Sequence, residues 1–261
     1  MACKKWYMGT NTKMNKTIAE TDRFVSRLCA LTGDLSRDRF TLFVIPSYTA
    51  LESANRRRDP ALLQLGAQSM GWEERGQFTG EISPLMLREV GCDLVMIGHS
   101  ERRHIFLETD EMEQRRVRCA LDHGFTALLC VGETEAEKDA GRSDEVLCSQ
   151  LERDFAGVSA AEAPRLWVAY EPVWAIGVNG KRITVAYADE KLTVIRRCLE
   201  KLFGAAGADV PIFYGGSVNP QNALALAGCR DINGLFIGRS AWDADSFDAI
   251  IRPVLRARGL L

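Results

Sequence analysis

Histidine is scarce: the chain has three in 261 residues (His99, His104, His123), none with a second histidine or a cysteine at ligand spacing, so no metal site is expected. A CxxC pair is lacking as well. The eight cysteines, at positions 3, 29, 92, 119, 130, 148, 198 and 229, lie far apart in a chain large enough to build its own core. They are expected as small, reduced, inert thiols. No apolar run approaches the roughly 18 residues that a bilayer span needs. The basic N-terminal stretch lacks the apolar segment of a signal peptide, so a soluble, cytoplasmic protein without membrane contact is expected. Charge of one sign is missing too, with 33 Lys+Arg against 35 Asp+Glu, net −2. That balance points away from nucleic acid as a partner and makes any phosphate site a local one. Composition is ordinary, 46% hydrophobic and 26% charged, which excludes disordered, collagen-like and coiled-coil chains.

Short β-rich apolar runs alternate with amphipathic stretches along the whole length. The pattern predicts strands over Trp6–Gly9, Phe40–Ile45, Leu63–Ala67, Leu94–Ile97, Thr126–Val131, Leu166–Tyr170, Ile212–Tyr214 and Leu235–Ile237. Helical spacing is clearest over Thr17–Leu31, Glu111–His123 and Ala188–Phe203, where apolar residues recur three or four apart. No linker or charge block divides the chain, so residues 1–261 read as a single domain. Eight βα units predict an α/β fold, a closed parallel (β/α)8 barrel with its chemistry at the C-terminal strand ends. A doubly wound open sheet usually carries a Gly-rich fingerprint after its first strand; here that strand runs into Asn11-Thr12-Lys13.

Polar residues directly after the strands are therefore the candidates. They are Asn11 and Lys13; His99, Ser100 and Glu101; Glu133; Glu171; Gly215, Gly216 and Ser217; and Gly238 with Arg239. Singly, each has a structural explanation. Together they supply a cation, a polarising donor and a base, with two glycine-rich turns at the last two strands, where barrels commonly hold phosphate. The set suits proton abstraction next to a carbonyl.

The motifs Ile97–Arg103 (IGHSERR), Ala169–Gly177 (AYEPVWAIG) and Tyr214–Val218 (YGGSV) resemble those of the triosephosphate isomerases, and the resemblance covers nearly the whole chain. It implies a TIM barrel and a cofactor-independent isomerase acting on a small phosphorylated keto sugar through an enediolate. Glu171 would be the general base and His99 the electrophile, a neutral imidazole beside the turn that starts at Ser100. Lys13 would offset charge on the enediolate, Asn11 would orient substrate, and Glu101 would hold Lys13 or relay protons. Residues from Pro172 to about Lys181 would form a lid that closes on the phosphate with the N–H of Gly177. The turns Gly215–Ser217 (with Gly216 and Ser217) and Gly238–Arg239 would hold the phosphate on backbone N–H groups, with the Arg239 side chain either pairing with it bidentately or pointing to solvent. Trp174 would anchor the lid against Tyr170 or Glu133, or pack as a core aromatic. Phe78–Glu81 is similar to the family's dimerisation loop, which implies a homodimer through the segment around Thr79.

Three positions depart from the family pattern. The lid reads Val178-Asn179-Gly180-Lys181, apparently one residue longer. Arg239 stands where a second glycine is usual, and Thr12 where tryptophan is common. The overall match implies the interconversion of D-glyceraldehyde 3-phosphate and dihydroxyacetone phosphate. The lid and Arg239 are similar to a branch acting on erythrulose phosphates (L-erythrulose 1-phosphate and D-erythrulose 4-phosphate), which is the alternative. A catalytically silent phosphate-binding barrel is a further one. An aldolase would want a Schiff-base lysine inside a central strand, and Lys13 lies beyond strand one.

Overall fold

The computed structural model describes residues 5–177 and 180–261. Eight parallel strands close into a barrel in sequence order: β1 (Trp6–Asn11), β2 (Phe40–Ile45), β3 (Gln64–Ala67), β4 (Leu94–Ile97), β5 (Thr126–Val131), β6 (Leu166–Tyr170), β7 (Ile212–Tyr214) and β8 (Gly234–Ile237). β8 pairs back onto β1, with Tyr7 opposite Gly234 and Thr10 opposite Ile237. Five strands keep the predicted bounds. β1 runs two residues further, because Thr10 and Asn11 pair with Val44 and Ile45 of β2 despite their polarity.

Alternate residues of each strand face opposite sides of a sheet, so a barrel sorts them into two cores. Phe43, Ile45, Met96, Leu128, Cys130, Trp167, Phe213 and Phe236 fill the interior. Met8, Leu42, Val44, Val95 and Leu129 face outward against the helices. The interior is an aromatic stack: Phe43 lies 5.3 Å from Trp167, 5.7 Å from Phe213 and 5.6 Å from Phe236 between ring centroids. Gly9 makes room for it, since a Cβ there would stand 2.0 Å from the Phe43 ring.

The helices start where their caps stand. Thr17 forms a capping box with Glu20 at the head of the Ile18–Thr32 helix. Thr184 caps Val185–Phe203, which therefore begins one turn before the apolar periodicity does. The Ser100–His104 helix is capped by His99 itself, whose ring accepts the N–H of Glu101.

One expectation is corrected. Cys148 and Cys198 form a disulfide, joining the Ser143–Asp154 and Val185–Phe203 helices, which lie side by side because they follow the paired strands β5 and β6. Cys92, Cys119, Cys130 and Cys229 are free and buried, Cys29 is free and half-buried, and Cys3 lies outside the described residues. None of the described helices is long and apolar enough to cross a membrane.

Candidate active site

At the C-terminal mouth of the barrel lies a cavity of about 470 Å³ lined by Asn11, Lys13, His99, Glu101, Glu171, Gly177, Gly216, Ser217, Gly238 and Arg239, among others. Ten of the twelve predicted site residues thus meet around one space. Ser100 and Glu133 are not among its lining residues: Ser100 opens the Ser100–His104 helix, and Glu133 accepts from Trp174.

Glu171 follows β6 and is 3% exposed, and its Oε2 has no hydrogen-bond partner among the described residues. A buried, unpartnered carboxylate oxygen is costly unless something else is to meet it. Gly215 keeps that space clear, because a Cβ there would come within 2.8 Å of the Glu171 Cγ. The wholly buried Cys130 thiol beside Glu171 is pushed well up by burial, so it stays protonated.

His99, also 3% exposed, has a tautomer set by its neighbours. Its Nδ1 accepts the backbone N–H of Glu101 at 3.2 Å, which leaves the proton on Nε2. Nε2 stands 3.6 Å from Glu171 Oε2, longer than a hydrogen bond, so neither group is committed to the other.

Lys13 sits just past β1 with φ +52°, a left-handed backbone that a lysine adopts only under constraint. The constraint is visible. Its N–H donates to Asn11 Oδ1 at 2.8 Å, while Gln68 Nε2 donates to its carbonyl at 2.7 Å and to Asn11 Oδ1 at 3.2 Å. The ammonium is held by Glu101 Oε1 at 2.8 Å. The other oxygen of Glu101, Oε2, stands 3.5 Å from His99 Nδ1.

The segment after β6 is tied to Glu133. This carboxylate is fully buried and accepts from Tyr170 Oη, from Trp174 Nε1 at 2.9 Å and from Tyr187 Oη at 2.9 Å. Burial pushes the Tyr170 hydroxyl well up and the Tyr187 hydroxyl to about 12, so both remain donors. Of the two partners expected for Trp174, its indole N–H meets Glu133, and the ring is partly buried and edge-on to Tyr187 at 5.7 Å. Gly177 stays exposed with φ +86°. Of the segment Val178-Asn179-Gly180-Lys181, expected to be one residue longer than usual, Val178 and Asn179 lie outside the described residues.

Gln68 and Trp242 are among the residues of the site that were not foreseen. Gln68 directly follows β3, so the rule that found the other polar residues applied to it equally. Trp242 lines the cavity and donates from Nε1 to the Asn11 carbonyl at 2.8 Å, tying the turn after β8 to the end of β1. No spacing in the sequence marks it. Among the described residues no group of three His, Cys, Asp or Glu side chains is placed to hold a metal ion.

A base, a neutral N–H donor and an ammonium around one partly enclosed cavity can remove a proton beside a carbonyl and stabilise the resulting oxyanion. Known proteins agree with that chemistry. Residues 6–254 match the triosephosphate isomerase family. A protein of Rhizobium etli named L-erythrulose-1-phosphate isomerase is 48% identical, covering 96% of this chain and 93% of that protein. One of the same name from Rhizobium meliloti is 46% identical, with 96% and 97% covered. The crystal structure of triosephosphate isomerase from Bartonella henselae superposes with a TM-score of 0.86 at 33% identity, covering 97% of this chain and 99% of that one. The family match and the structural likeness both run over almost the whole chain, and the chain belongs to the triosephosphate isomerase family.

Proposed function

We propose that this isomerase interconverts L-erythrulose 1-phosphate and D-erythrulose 4-phosphate, moving a proton between the two central carbons through an enediolate. The observation that carries the reaction is the buried Glu171 Oε2, free of hydrogen bonds among the described residues and facing the cavity 3.6 Å from His99 Nε2. Glu171 takes the proton from the hydroxyl-bearing carbon and returns it to the former carbonyl carbon, while the hydroxyl proton passes to the former carbonyl oxygen by way of His99 Nε2. The Nε2–H of His99 polarises the carbonyl, and the Lys13 ammonium offsets the charge on the enediolate oxygens. Asn11 orients the substrate. The lid residues up to Gly177, with Ser217, Gly216 and Gly238, receive the phosphate and exclude water. Every group is an acid, a base or a hydrogen-bond donor, so the step needs no cofactor.

The four-carbon substrate is favoured over the triose by the name that the Rhizobium relatives carry across 96% of this chain. Comparing kcat/KM on both erythrulose phosphates, dihydroxyacetone phosphate and glyceraldehyde 3-phosphate tests it. The tetrose phosphates are expected to be turned over at least about tenfold more efficiently, a step of about 1.4 kcal/mol and of the size that one extra contacting group supplies. A preference for the triose pair would overturn the tetrose reading and leave the proton-transfer roles in place.

We further propose that two copies associate through the loops after β1, β3 and β4. Those loops carry the large apolar side chains most exposed to solvent, among them Met14 at 95%, Ile105 at 67%, Phe106 at 65% and Leu107 at 74%. Thr79 lies exposed in the β3 loop beside Phe78, itself 45% exposed. Light scattering on the purified chain is expected to return twice its own mass, and a monomer at micromolar concentration would contradict this.

A further inference from the structure

Among the described residues, four formally charged side chains line the active-site cavity: the cations Lys13 and Arg239 and the carboxylates Glu101 and Glu171. They are not evenly placed. The carboxylates stand after β4 and β6, whereas Lys13 and Arg239 stand after the neighbouring strands β1 and β8. Lys13 is already spent on Glu101 at 2.8 Å. Arg239 is exposed in the turn Arg239–Ala241 and has neither an ion pair nor a side-chain hydrogen bond among the described residues. Without it the cavity would carry one negative charge more than positive, and a phosphate dianion would enter against repulsion. With it the charges balance, and the uncommitted positive charge sits on the β8 side of the mouth, beside the Gly215–Ser217 turn after β7.

We propose that Arg239 draws in, orients and grips the phosphate dianion of the substrate, and that it takes no part in choosing between three and four carbons. The planar guanidinium suits two parallel hydrogen bonds to phosphate oxygens. Held at the β8 side, the phosphate leaves the carbonyl end of the molecule to Glu171 and His99. The second half of the proposal follows from the substrate. Relative to dihydroxyacetone phosphate, L-erythrulose 1-phosphate carries its additional hydroxymethyl on the carbon that loses the proton, beyond the carbonyl as seen from the phosphate. A group that grips the phosphate meets the same atoms in both compounds. This inference rests on the ketose-phosphate reading above, and its test includes a ligand that does not depend on that reading.

The experiment uses the full chain and the variants Arg239→Met and Arg239→Lys. Inorganic phosphate is titrated in by ³¹P NMR, and kcat/KM is measured on L-erythrulose 1-phosphate and dihydroxyacetone phosphate at several ionic strengths. Arg239→Met is expected to weaken phosphate binding by about 10- to 100-fold, in line with a bidentate charge-assisted pair. It should lower kcat/KM on both ketoses by a similar factor and flatten the salt dependence. Arg239→Lys should recover part of the phosphate affinity, since it keeps the charge and loses the fork. Phosphate affinity in Arg239→Met equal to that of the unaltered chain would overturn the grip. A change of about tenfold or more in the tetrose-to-triose ratio would overturn the claim that Arg239 is blind to chain length. If the unaltered chain turns over neither ketose, the functional reading fails, and the phosphate titration still decides whether Arg239 holds the anion.

Discussion

Glu171→Gln is expected to lower kcat by about 10²- to 10⁴-fold, the range that a positioned general base contributes. The amide is nearly isosteric and fits the same space beside Gly215, so the fold and the cavity survive while the base is lost. Phosphate should bind no more weakly to this variant, because one of the two carboxylates facing the cavity has been neutralised. That combination separates loss of chemistry from loss of binding. Glu171→Asp is the finer probe. It keeps the charge but retracts the carboxylate by one methylene, and a misplacement of about 1 Å costs on the order of 10²-fold. Steady-state kinetics on the preferred ketose phosphate, together with solvent-deuterium exchange at the carbon beside the carbonyl, decides the matter. Unaltered turnover and exchange in Glu171→Gln would remove the base from the mechanism, and with it the proposed function.

How far the sequence alone could go is clearest at individual positions. Strand positions were legible because the barrel buries both faces of each strand, so runs such as Leu94–Ile97 are apolar and buried throughout. The same logic made the site legible, since a polar residue directly after a buried strand has only the mouth to face. Gln68 obeyed the rule and was overlooked, because nothing in its identity announces that it pins a left-handed lysine. The φ of Lys13 was not legible at all: a non-glycine residue in that region is held by tertiary contacts, which leave no local mark. Trp242 was hidden for a related reason. An aromatic residue in a loop reads as surface or core until its indole N–H is seen on the Asn11 carbonyl. The Cys148–Cys198 bond needed more than adjacency of helices; it needed the two thiols at matching heights on neighbouring cylinders, which periodicity does not encode. The three departures from the family pattern fare differently. Arg239 and Thr12 lie within the described residues, Arg239 exposed on the cavity and Thr12 fully buried, whereas the third departure, over residues 178–181, includes Val178 and Asn179, outside them.

The imidazole provides the second large effect. His99→Ala is expected to lower kcat by about 10²- to 10³-fold, the cost of removing one preorganised donor from a developing oxyanion. The donor is preorganised because Nδ1 is occupied by the Glu101 N–H at 3.2 Å, so the ring cannot turn its proton-bearing nitrogen away without abandoning that bond. His99→Gln, which carries an N–H on a more flexible stem, should recover part of the loss. The tautomer has its own readout. In ¹⁵N NMR spectra of the free enzyme, Nε2 of His99 should resonate as the protonated nitrogen and Nδ1 as the acceptor, and the opposite assignment would deny it the role of donor. Glu171 and His99 act on opposite sides of one transition state, the first taking the proton and the second stabilising the oxygen whose charge that removal creates. A stabilised oxyanion is of little use when no base forms it, so the two losses should not multiply. The Glu171→Gln, His99→Ala double variant is expected to fall little below the worse of the two single ones, as groups acting as a unit do. Fully multiplicative losses would mean that the two residues serve separate steps.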